Sequence, residues 1–238
     1  MQHRYPKHKV VKVPEFREVI YDQERWGYLE KLREVAANIM KILIQCGYLP
    51  IVHGSVARGD VDRDSDVDVV IPYVASPTLV EACLERGGQR IFRKLIIKAT
   101  PKSALKVLYE LDPSSKLTVS FLLERPSPRE LEFYKFGGEL SYEEIVKDVR
   151  VPGVNKSLVL IVPTERGHKE SPVVGYEHYV AKLLGVSIAT VMERVEVLSR
   201  RDEIGRTGLF FRQVIDPSMP IEEAVREILK KLPQLFNT

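Results

Sequence analysis

Asp66 and Asp68 stand two residues apart in the run Asp66-Val67-Asp68-Val69-Val70-Ile71, where Val67, Val69 and Ile71 take the alternate positions. Successive side chains of a strand point to opposite faces, so both carboxylates fall on one face and the aliphatic residues on the other. Two carboxylates held this close repel each other and favour a divalent cation. Mg²⁺ takes one or two protein carboxylates and completes its shell with water and phosphate oxygens. The implied chemistry is that of a cation met by a nucleoside triphosphate.

A second feature lies just upstream. Leu49-Pro50-Ile51-Val52 reads as a short buried strand running into Gly54-Ser55. Glycine lets backbone N–H groups approach an anion closely, and Ser55 adds a hydroxyl donor. The spacing of turn and acids suits a hairpin-like return that sets one beside the other. Arg58 is placed to neutralise phosphate charge. Alone, a Gly-Ser turn or the alternating acids Asp60, Asp62, Asp64, Asp66 and Asp68 would describe an ordinary solvated hairpin. Their combination points instead to one shared triphosphate.

The stretch Gly54-Ser55-Val56-Ala57-Arg58-Gly59, followed by Asp64-Ser65-Asp66-Val67-Asp68, resembles the signature of the DNA polymerase beta-like nucleotidyltransferase superfamily, in particular its minimal domains. The motif covers residues 35 to 75. The resemblance implies a mixed-sheet α/β palm and two-metal transfer of a nucleoside monophosphate, with pyrophosphate leaving. By motif position Gly54 and Ser55 bind the triphosphate, while Asp66 and Asp68 bind Mg²⁺ or Mn²⁺. The expected reaction moves a nucleoside monophosphate, from ATP foremost, to an acceptor hydroxyl on a protein, a small molecule or RNA.

The same resemblance implies a third carboxylate on a later strand, and Lys116 to Leu123 contains no acid. Thr118, Ser120 and Leu122 share a face there, with Glu124 next on that parity at the strand's end. Glu124 is therefore the candidate third acid, with Glu110 and Asp112 as alternatives from the preceding segment. Loss of this acid would weaken chemistry more than nucleotide binding, which sustains a second reading: a nucleotide-binding regulator of weak turnover that contacts nucleic acid or a protein through its C-terminal helices.

Composition frames the site. The chain has 238 residues, 44% hydrophobic and 29% charged, enough for a substantial core. Cys46 and Cys83 are too few for a disulfide framework or a zinc site, which suggests a reducing, cytoplasmic setting. No apolar run has the length to cross a bilayer. The net charge is only +3. Arg4, Lys7, Lys9, Lys12 and Arg17 nonetheless crowd the beginning, against Glu15 and Glu18, as a basic arm able to touch an anionic partner.

The elements that must position the site follow from periodicity. Trp26, Leu29, Leu32, Ala36, Ile39, Met40 and Leu43 recur at three- and four-residue steps, predicting an amphipathic helix from Gln23 to Cys46. Helices are expected over Pro77–Arg86, Pro101–Tyr109 and the stretch through Leu131, Phe133 and Tyr134. Strands are expected over Ile91–Ile97 and Leu117–Leu123. This order predicts an α/β palm over residues 1–150, with a mixed sheet and flanking helices, then a smaller C-terminal substrate- or partner-binding domain over 151–238.

In that second part Ser157 to Pro163 reads as a buried strand, followed by a polar loop carrying His168, a conceivable proton acceptor. The segment Tyr179 to Val195, with Gly185 between two helices, is similar to a helix-turn-helix, and Gly205 to Phe211 would be its wing. Glu193 and Glu196 on its exposed side oppose a phosphate backbone.

Overall fold

The computed structural model describes residue 10, residues 16–205 and residues 208–235. Most of the basic arm (Arg4, Lys7, Lys9, Lys12) and part of the expected wing (Arg206, Thr207) lie outside the described residues. Two sheets organise the rest, and the chain passes between them three times.

It opens with β1 (Arg17–Ile20) and α1 (Gln23–Gln45). Asp22 caps α1 by accepting the Arg25 N–H at 2.8 Å. The expected apolar stripe faces inward, with Leu29, Ala36, Ile39, Met40 and Leu43 buried. Next come β2 (Ile51–His53), the single-turn helix α2 (Ser55–Arg58), β3 (Val67–Val74), α3 (Pro77–Arg86), β4 (Arg93–Lys98), β5 (Lys106–Glu110) and β6 (Leu117–Leu122). They are followed by α4 (Pro128–Gly137), β7 (Glu139–Leu140) and α5 (Tyr142–Val146). Ser127 and Glu130 form a capping box that fixes the start of α4.

The larger sheet has the order β11-β4-β5-β6-β3-β2-β7, where β11 is Phe211–Ile215. It is mixed as expected: β3 and β6 run parallel and the other neighbours antiparallel. Alternation along its strands sends Val52, Val67, Val69, Ile71, Ile96, Val107, Tyr109, Val119 and Phe121 into the main core, shared with α1 and α3. The opposite parity puts His53, Asp68, Thr118 and Glu110 on the other face.

Three expectations about this unit are corrected. Pro101–Tyr109 is no helix. After a turn, its second half is strand β5, because alternating Lys106-Val107-Leu108-Tyr109-Glu110 pairs on both sides, with β4 and β6. Cys46 and Cys83 are bonded to each other, joining the end of α1 to α3, which removes the argument for a reducing compartment that rested on free thiols. The palm also does not end near residue 150. β11 adds to its edge, and α8 (Ile221–Lys231) buries Ile221, Ala224 and Ile228 in the main core. Lys94 donates to the Met219 carbonyl at 3.4 Å and Lys98 to the Leu235 carbonyl at 2.6 Å, tying the returning segment down.

The smaller sheet is antiparallel, order β1-β10-β9-β8, from β8 (Gly153–Val154), β9 (Val159–Thr164) and β10 (Gly167–Pro172). Two helices, α6 (Glu177–Leu184) and α7 (Ile188–Ile204), complete its core through Val180, Ala181, Val191 and Leu198. Gly185 (φ +62°) makes the turn between them, and Ser187 caps α7. The helix-turn-helix spacing is present, but among the described residues the end of the expected wing, Phe211, begins β11 of the larger sheet instead. The start of α7 is docked on α4, where Glu132 accepts from Ser187 Oγ at 2.7 Å and from Thr190, and Arg129 meets Glu193 at 3.2 Å. No described helix is long and apolar enough to cross a membrane.

Candidate functional site

β2 and β3 pair antiparallel with His53 opposite Asp68, so the Gly54 turn at the end of β2 lies beside the start of β3, which carries Asp68, with Asp66 one residue before the strand. The hairpin-like return expected from the spacing is thus the arrangement found. Gly54 has φ +88°, and a Cβ there would meet nothing within 4 Å. Backbone conformation demands glycine at this position, and the space above it is open. The amides of Ala57 and Arg58 return to the Gly54 carbonyl at 3.1 Å, making the single turn of α2 with Ser55 at its first position. The first N–H groups of any helical turn lack intrahelical acceptors and can face an anion.

A residue from far upstream sets this turn. Arg33, buried on α1, donates Nε to the Val56 carbonyl and Nη2 to the Ala57 carbonyl, both at 3.2 Å, while its Nη1 pairs with Asp148 at 3.0 Å. Burial lowers its pKa and Asp148 opposes that. Nothing in the local motif signals Arg33, whose helix reads simply as amphipathic.

Arg58 does not serve the role expected of it. Its side chain is only 7% exposed, its Nε and Nη2 grip both oxygens of Asp60 at 2.9 and 3.0 Å, and its Nη1 donates to the Gly137 carbonyl at 2.5 Å. A guanidinium committed to three acceptors and packed under Gly138 and Gly153 is a brace between the turn and α4, not a phosphate ligand.

Asp66 and Asp68 are both half-buried. Burial raises the Asp68 pKa, the charge of Asp66 adds to the rise, and a hydrogen bond from Thr118 opposes it. Lys156 and Lys106 also lower it. Lys106 is a strand residue of the larger sheet, while Lys156 comes from the β8–β9 turn, so the smaller sheet contributes positive charge to the site. Neither lysine carries a sequence signal, since each owes its place to the packing of separate elements.

The candidate third acids are dispersed. Glu124 is not brought to Asp68. β6 ends at Leu122, the chain bends, and Glu124 accepts from Lys98 Nζ at 3.2 Å and from the Leu105 amide at 2.6 Å. Alternation ends with the strand at Leu122 and does not carry to Glu124. Asp112 holds the β5–β6 turn through the amides of Ser114 and Leu117. Glu110 is on the Asp68 face, but Thr118 stands between them, and Arg93 and Ser115 engage it at 3.2 and 2.7 Å. Among the described residues no three His, Cys, Asp or Glu side chains converge to hold a metal. The donor set fits one divalent cation carried by Asp66 and Asp68, with the remaining ligands from water and phosphate.

Two histidines complete the picture. His53 packs its ring against Phe133 and Tyr134 of α4, centroids 5.2 and 5.4 Å away. Burial first, then the charges of Arg58 and Lys106, push its pKa down to about 3. Its position immediately before Gly54 was the available signal, and it was missed. His168 is neither a loop residue nor a surface one. It lies on β10, 1% exposed, between the Tyr21 hydroxyl at 2.6 Å and Glu170 at 3.0 Å.

No curated protein and no solved structure matches the chain. A family model described as a nucleotidyltransferase domain matches residues 30–150, a span that runs from within α1 through α5 and takes in the Gly54 turn, both aspartates and β6. With just over half of its length accounted for in this way, the chain belongs to the nucleotidyltransferase domain family, within the polymerase beta-like superfamily.

Proposed function

We propose that this protein moves a nucleoside monophosphate from a nucleoside triphosphate, ATP foremost, to an acceptor hydroxyl. The observation carrying this reading is the pairing of β2 with β3, which puts Asp66 and Asp68 next to the Gly54 turn in a chain of the nucleotidyltransferase domain family. A Mg²⁺ or Mn²⁺ on the two aspartates would offset the triphosphate's charge and polarise the α-phosphorus. Gly54, whose own amide is donated to the Gly138 carbonyl at 2.9 Å, leaves the approach open, Ser55 holds phosphate oxygens through its backbone amide and hydroxyl, and Lys106 and Lys156 supply positive charge nearby. The acceptor oxygen forms a bond to the α-phosphorus, the bridge to the β-phosphate breaks, pyrophosphate leaves and the hydroxyl proton passes to solvent. Such substrates suit a cytoplasmic protein.

The alternative, a nucleotide-binding regulator of weak turnover, draws on the neutral Thr118 beside Asp68. Its proposed output through α7 finds less support, because the start of that helix is held against α4.

Calorimetric titration of each ribonucleoside triphosphate with Mg²⁺ into the wild-type chain and into the Asp66→Asn/Asp68→Asn variant tests the reading. Metal-dependent binding, tightest for ATP and lost in the variant, is expected. No binding to the wild type would overturn it.

A further inference from the structure

The strands flanking β3 decide how many cations the site can hold. Neighbouring strands lie about 4.8 Å apart, so a side chain sharing a second cation with Asp68 must project from the position directly beside it. On β2 that position is His53, and on β6 it is Thr118. The His53 ring is wedged against Phe133, Tyr134 and Gly137, where a Cβ on Gly137 would lie 2.3 Å from its Cε1. Thr118, buried at 6% exposure, donates its hydroxyl to Asp68 Oδ1 at 2.7 Å. Two carboxylates continue the row one strand further out on either side: Glu110 beyond Thr118, already held by Arg93 and Ser115, and Glu139 on β7, with His53 between it and Asp68.

We infer that this site takes one divalent cation, not two, and that Thr118 is a positioning residue standing where a second cation would need a third acid. The inference rests on the nucleotidyl-transfer reading proposed above. The Thr118 proton occupies one lone pair of Oδ1 and holds the Asp68 carboxylate in a single orientation, leaving its other lone pairs and Asp66 to face the cation. A second cation bound through Oδ1 would compete with that proton. In return it would find a neutral hydroxyl instead of the charged oxygen that hard cations favour.

The test counts cations. The full chain is dialysed to equilibrium with Mn²⁺ and an ATP analogue carrying a methylene bridge between the α- and β-phosphates, and protein-bound Mn²⁺ and analogue are measured. One Mn²⁺ per bound analogue is expected for the wild type and two for Thr118→Asp. Thr118→Val should weaken analogue binding in Mn²⁺ about tenfold, while Thr118→Ser, which keeps the hydroxyl, should stay within about twofold. A ratio of two in the wild type overturns the single-cation inference and leaves the proposed function standing. Unchanged binding by Thr118→Val overturns the positioning role. A wild type that binds no analogue removes the nucleotide reading, and this inference with it.

Discussion

His53 on β2 lies directly opposite Asp68 on β3, and burial drives the two side chains the same way, toward their uncharged forms. For the histidine this means a pKa near 3 and a neutral ring at working pH, so His53 is no counter-charge for a triphosphate. For the aspartate it means a carboxylate whose charge is costly until a cation arrives.

The histidine makes stability fall with acid. Between its ordinary value near 6.5 and about 3, the unfolded chain binds a proton that the folded chain refuses, so stability is lost as pH drops through that window. His53→Phe keeps the aromatic packing and removes this slope, which approaches about 1.4 kcal/mol per pH unit well below 6.5. Urea unfolding at pH 7, 6 and 5 should show a shallower decline in the variant. Parallel declines would refute the assignment.

Asp68 has the opposite consequence. A carboxyl with a raised folded pKa contributes most below its unfolded value, and that contribution is lost as pH rises through the folded one. Asp68→Asn should therefore be as stable as the wild type at pH 7, or more stable by up to about 1 kcal/mol, while losing metal-dependent nucleotide binding. Its amide oxygen can still accept from Thr118. A marked drop in melting temperature would show that the charge supports the fold.

Arg58 and Asp60 should behave as a structural pair. Arg58→Met leaves a nearly buried carboxylate without its partner and should cost about 3–5 kcal/mol. Adding Asp60→Asn should recover more than half of that loss. A double variant no better than the single would place the energy in the Gly137 carbonyl contact instead.

The Cys46–Cys83 bond spans 37 residues and crosses the segment that carries the site. Closing a loop of this length restricts the unfolded chain by about 3–4 kcal/mol in the chain-entropy account. Cys83→Ser should lower stability by an amount of that order. Alkylation of the unreduced protein under denaturing conditions should label no cysteine, and two labelled cysteines would show that the bond is absent.

The legible part of this protein is local. Asp68 faces away from Val67 and Val69 because strand periodicity is two, and Asp66, one residue before β3, is close enough for its charge to act on Asp68. Gly54 marks the turn because φ +88° excludes other residues, and α1 announces its buried stripe at three- and four-residue steps. These features depend on covalent geometry within a few residues, so they survive without knowledge of the rest of the chain. The mixed sheet and the family followed from them.

What stands beside those residues was decided by the tertiary structure alone. Parity placed Glu124 on the site face, but a bend after Leu122 gave it to Lys98. Arg58 sat in the motif as a phosphate ligand and became a brace. Phe211–Ile215, expected beyond a domain boundary, closed the edge of the larger sheet. Glu124 and Phe211–Ile215 meet partners far away along the chain, and Arg58 joins the nearby Asp60 to the distant Gly137 carbonyl, so each outcome depends on register and on which buried charge lacks a mate. Strand periodicity put Asp68 on the face opposite the core, but only the pairing of β3 with β6 set a threonine at its side.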